Sequence, residues 1–106
     1  MMIITPFEGV NLDVDEIDQI MFSASEEFGK KPFSIISNCT AQFSVNPIAY
    51  SELSKMKNLQ AVAFVRTSHF GRSNFQLERQ FFDASIKVKL FDSLQKATAW
   101  VFELNQ

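Results

Sequence analysis

The sequence predicts an α/β protein of about four mostly parallel strands with four helices. Three observations carry that expectation. Apolar runs of strand length alternate with segments of helical period along the 106 residues. One run, residues 59–65, is apolar almost throughout, as a strand covered on both faces of a parallel sheet must be. Capping residues stand before helical segments, and two of them, Asp13 and Asp92, have Glu16 and Gln95 three positions on, the spacing of a capping box.

The elements follow in order. Residues 2–7 form a short β-type run, and Pro6 cannot donate to a ladder, which puts that run at an edge or at a strand end. A helix begins after Asp13. Val14, Ile17, Met21, Ala24 and Phe28 share one apolar face, and the acidic residues near the start suit the positive end of the helix dipole. Gly29 is placed to end it, and Pro32 prevents its continuation. Residues 33–37 read as a buried strand and 38–45 as a connection. Asn46 and Pro47 open a second helix as N-cap and first helical residue. Ala49, Leu53 and Met56 give it an apolar side, and Lys55, Lys57 and Asn58 close it. After the strand at 59–65, Thr67 or Ser68 can cap a third helix with Phe70, Leu77 and Phe81 on one face and Phe75 and Phe82 beside it. Residues 86–91 alternate apolar and basic, the pattern of a half-exposed edge strand guarded by lysine. Asp92 caps a last helix whose buried face is Leu94, Ala97, Val101 and Leu104. No linker or repeat divides the chain, so residues 1–106 are expected to form one domain.

Composition narrows the function. The net charge is −2 and the densest basic cluster is Lys30-Lys31, which is not the footprint of a nucleic-acid binder. The apolar start is too short to span a membrane and lacks the marks of a signal peptide, so a cytoplasmic protein is expected. Cys39 stands alone, which rules out an intrachain disulfide. Its sequence neighbours bring no positive charge to activate a thiol. His69 is the single histidine, and no nucleophile elbow or zinc-ligand spacing accompanies it. With three glycines there is no phosphate loop. Asp13, Asp15, Glu16 and Asp18 crowd a helix start, where solvated carboxylates are ordinary. No catalytic residue, metal or cofactor is therefore expected, and the chain reads as a non-enzyme. Twelve phenylalanines suit either a core filled with rings or an apolar pocket.

Three segments carry a resemblance. Residues 31–38 (KPFSIISN), residues 61–65 (AVAFV), and residues 88–92 (VKLFD) continued by 97–101 (ATAWV) follow one another in order and spacing that resemble the SpoIIAA-like superfamily. That superfamily includes the STAS domains of anti-sigma-factor antagonists, and the chain is similar to its small single-domain bacterial members. The resemblance implies a (βα) superhelix and a non-catalytic regulatory or protein-interaction module. Phosphorylatable members carry Asp-Ser-Ser at the start of the second helix, where this chain has Asn46-Pro47-Ile48, so the usual phospho-switch is not expected. Ser44, Asn46, Pro47, Tyr50 and Ser51 form the candidate interaction patch, and Ser44 and Ser51, which flank the helix start, are the hydroxyls able to receive phosphate there, although a local turn or cap bond is the ordinary role of such a serine. Tyr50 suits an interface anchor with a polar tip, or equally a ring packed on a neighbouring helix. The expected partner is a protein. A homodimer through the poorly guarded first strand is a further expectation, and binding of a small apolar ligand or lipid in a Phe-lined pocket is the alternative function.

Overall fold

The computed structural model describes residues 1–5, 11–39, 44–67 and 75–104. Its elements are β1 (Met2–Ile4), β2 (Asn11–Leu12), α1 (Val14–Phe28), β3 (Phe33–Cys39), β4 (Ser44–Val45), α2 (Pro47–Leu53) and β5 (Leu59–Arg66). They continue with a helical turn at residues 75–78, here α3, which tightens into a 3-10 turn at Arg79–Phe81, then β6 (Lys87–Phe91) and α4 (Leu94–Leu104). Strands β1, β3, β5 and β6 form one sheet in that order, all parallel. The order never reverses, so same-handed crossovers put α1, α2 and α3 on one face.

The two faces have separate cores. Ile17 and Ala24 of α1, Ala49, Tyr50 and Leu53 of α2, and Phe75 and Phe82 pack on Phe33, Ile35, Val62 and Phe64. On the other face Ala97 and Val101 of α4 pack on Ile36, Ala63 and Val65. Side chains alternate along a strand, so β5 contributes to both cores and is buried along almost its whole length. Rings fill the first core. Phe64 stands edge-on to Tyr50 at 5.8 Å and to Phe75 at 5.5 Å, and Tyr50 lies 4.9 Å from Phe82.

The start of α1 is fixed twice. The Asp13 side chain accepts from the Val14 N–H at 2.8 Å, and the Glu16 side chain accepts from the Asp13 N–H at 3.1 Å within a complete capping box. Gly29 ends the helix at φ +59°, a conformation that costs an L side chain energy even where space is open.

Several expectations are corrected. Strand β3 runs on to Cys39, and the supposed connection also contains β4, which pairs in parallel with β2 as a separate two-stranded ribbon. Both pieces are too short for periodicity to show. Helix α2 stops at Leu53, and Met56 packs against the core from the following turn. Through α3 and the turn that follows it the buried side chains are Phe75, Glu78 and Phe82, while Leu77 and Phe81 are exposed; Phe70 lies outside the described residues. The last helix is capped by Ser93, whose hydroxyl accepts from the Lys96 N–H at 3.2 Å, and Asp92 pairs instead with the Lys96 ammonium. The frame thus starts one residue later, and Leu94 falls partly outside the buried face, which keeps Ala97 and Val101. Strand β1 is described over Met2–Ile4, at a sheet edge.

Replacing Asp13 by Ala removes the cap and the anchor of the box together. We expect a loss of about 1–2 kcal/mol, read as a lowered urea midpoint at unchanged slope.

Candidate functional site

Two places near the carboxyl ends of the strands gather polar side chains, the end of a parallel sheet at which ligands usually bind. The first is the candidate patch at the start of α2. Strand β4 leads into it, and the Asn46 N–H donates to the Leu12 carbonyl at 2.8 Å. The Asn46 side chain then works in both directions. Its oxygen accepts from the Ile48 N–H at 3.2 Å, and its nitrogen donates to the Asp13 carboxylate at 3.1 Å. The N-caps of α1 and α2 are therefore bonded to each other, which fixes the two helix starts side by side.

The structure distributes the predicted patch residues unequally. Asn46 and Ser51 are half-buried and Ile48 is 61% exposed. Tyr50 is 4% exposed and belongs to the aromatic core, so it packs on Phe64 and Phe82 and does not face outward as an anchor. Ser44 and Pro47 are placed by their backbones in β4 and in the first turn of α2. Ile48, which the sequence places at the switch position, is not one of the five predicted patch residues, yet it is the most exposed described side chain here.

The second place was missed altogether. Arg66, at the end of β5, is 4% exposed, and its guanidinium pairs with the Glu78 carboxylate of α3 at 3.0 Å. It also lies 4.9 Å from the centre of the Phe64 ring, on the same strand face. Cys39 is the register partner of Arg66 on β3. Burial raises the Glu78 carboxyl above its ordinary value, and the charge and hydrogen bond of Arg66 offset this in part. Two signals were present in the sequence. Arg66 ends the apolar run of β5, and Phe75, Glu78 and Phe82 recur at helical spacing with the opposite charge in the middle.

At the other end of the sheet, Gly29, Lys30, Pro32, Lys57 and Asn58 line an open groove of about 470 Å³. The Asn58 side chain donates to the carbonyls of Gly29 and Lys31, both at 3.0 Å, and so ties the end of α1 to the turn before β5. Among the described residues no three His, Cys, Asp or Glu side chains converge as a metal site, and no helix is long and apolar enough to cross a membrane. His69 lies outside the described residues. No family model, curated protein or solved structure significantly matches the chain.

The buried pair makes a pH prediction. A carboxyl whose folded value is raised contributes stability that is fully present below its unfolded value, about 4.5, and lost as pH rises through the folded value. Unfolding free energies measured by urea from pH 4 upward should therefore show this decline in the wild type, and Glu78→Gln should flatten it. At neutral pH Glu78→Ala should lower stability by about 1–3 kcal/mol, because it removes the carboxylate bonded to the buried Arg66 guanidinium, whereas Arg66→Met with Glu78→Leu should be tolerated.

Proposed function

We propose that the chain is a non-catalytic protein-interaction module that docks a partner on the outer side of its three-helix layer, around the start of α2. One observation carries the reading: each helix of this layer presents a large apolar side chain to solvent. These are Phe22 on α1 at 68% exposed, Ile48 on α2 at 61%, Leu77 on α3 at 61%, and Phe81 in the turn that follows. Single exposed apolar side chains are ordinary and a contiguous group of them marks a contact surface; the proposal is that these four act together. Helices α1 and α2 are in direct contact, and the Ser54 hydroxyl is 3.5 Å from the Phe81 carbonyl, so the turn after α3 lies beside the end of α2.

The regulatory role rests on the SpoIIAA-like and STAS resemblance of the sequence, with which four parallel strands in unbroken order and helices between them are compatible. The patch is proposed to be constitutive. The position of the family's phosphorylated residue falls on Pro47 or Ile48, which have no hydroxyl, and Asn46 caps the helix without one. The described aromatic rings of the first core pack against one another at 4.9 to 5.9 Å, which favours this reading over a Phe-lined ligand pocket.

The test is affinity purification from the source cell with the wild type and with Ile48→Glu. A partner enriched by the wild type should be reduced at least about tenfold by a charge placed in the contact, with an unchanged circular dichroism spectrum. A partner profile indifferent to Ile48→Glu, or stoichiometric phosphate on Ser44 or Ser51 in protein from that cell, overturns the reading.

A further inference from the structure

The turn after α1 and the turn before β5 meet at the amino end of the sheet, where Gly29, Lys30, Pro32, Lys57 and Asn58 line the open groove of about 470 Å³. Its walls are tied together. The Asn58 side chain donates to the Gly29 and Lys31 carbonyls, both at 3.0 Å, and the Phe33 N–H donates to the Asn58 carbonyl at 3.0 Å. Phe28 and Phe33, on either side of the first turn, stack with ring centres 4.9 Å apart. Pro32 adds a fixed φ between them. These bonds shape the groove in advance of any ligand, which lowers the cost of binding one.

The ionisable groups among the described lining residues are both cations. Lys30 and Lys57 are exposed. Neither has a carboxylate partner among the described residues, where the ion pairs are Lys55 with Glu52, Arg66 with Glu78 and Lys96 with Asp92. The carboxyl end of a helix is ordinarily a poor place for an anion, because its last carbonyls point outward. Here those carbonyls are occupied. The Ser25 carbonyl accepts from the Gly29 N–H and the Phe28 carbonyl from the Lys31 N–H, both at 3.0 Å, and Asn58 takes the next two. Two ammonium groups are left on one groove. A cleft lined by charge of one sign focuses its field and concentrates the opposite charge. The chain as a whole has a net charge of −2, so an attraction for anions is local to these lysines.

We propose that this groove binds a small dianion of the phosphate class, held between the Lys30 and Lys57 ammonium groups. Lysine binds phosphate as a point charge on a flexible stem and needs no fixed fork geometry. Two such charges favour a phosphoryl group over a carboxylate, which carries one. Lys30-Lys31 is too short a basic run to follow a nucleic-acid backbone. A free phosphorylated molecule and a lipid headgroup present the same chemistry, and the test separates them. The groove lies at the opposite end of the sheet from the start of α2, so it and the proposed partner surface stand or fall separately.

Inorganic pyrophosphate titrated into the isotopically labelled chain at low ionic strength, followed by amide chemical shifts, tests the proposal. The amides of residues 29–31, 57 and 58 should shift and saturate with a dissociation constant of about 1 mM or tighter. Lys30→Gln and Lys57→Gln, both at exposed positions, should each weaken binding about tenfold. Lys89→Gln, at an exposed position on β6, should leave it unchanged. Sedimentation with phosphatidylcholine vesicles containing phosphatidic acid is the second arm. Vesicle binding that both glutamine variants of the groove abolish assigns it to a headgroup; saturable pyrophosphate binding without vesicle binding assigns it to a free ligand. No saturable shift up to about 10 mM pyrophosphate overturns the proposal. So do shifts spread evenly over the lysines of the chain, or an affinity unchanged in both groove variants.

Discussion

Strand Leu59–Arg66 is covered on both faces, and most of the structure is arranged around that burial. Its side chains supply the centre of two cores at once: Val62 and Phe64 for the helix layer, Ala63 and Val65 for the last helix. Small residues at 61 and 63 let α4 approach closely, while Phe64 fills the wider space under α2 and α3. The strand then ends on a buried arginine. A buried guanidinium requires a carboxylate, and Glu78 provides it from α3. This pairing turns the α3 stripe so that Phe75 and Phe82 go in and Leu77 and Phe81 go out. The apolar surface on the helix layer is thus connected to a charge at the end of the central strand.

A second polar link orders the helix starts. Asp13 and Asn46 each cap their own helix and also bond to each other. The short β2–β4 ribbon brings them together by pairing Asn11 with Ser44 and Leu12 with Val45. Local capping alone would satisfy each helix. The bond between the caps adds a fixed spacing between α1 and α2, and Tyr50 one turn later is locked against Phe64 and Phe82. Among the described side chains at this place Ile48 faces outward, one turn into a helix whose cap is bonded to that of α1.

The two faces of the sheet differ in how fully they are covered. Three crossover helices cover one face, because strands in unbroken order return on the same side each time. Among the described residues a single helix covers the other, and one helix about 10 Å wide does not span four strands spaced almost 5 Å apart. The uncovered side falls on β1, which is also the edge that carries no charge.

Much of this was legible in the residues. The double-sided burial of β5 follows from an apolar run without alternation. The α1 cap follows from Asp13 and Glu16, its end from Gly29, and the guarded edge from the lysines of β6; each depends on local spacing that a helix or a strand imposes on any chain. Tertiary structure decided the rest. Whether Tyr50 faced in or out depended on the space left beside Phe64, which no local pattern records. The frame of α3 depended on Arg66, twelve residues away in sequence, because a buried charge selects the helix face that carries its partner. The pairing of Asn11–Leu12 with Ser44–Val45 joins two-residue strands that have too few residues to show a period and lie more than thirty positions apart in the chain.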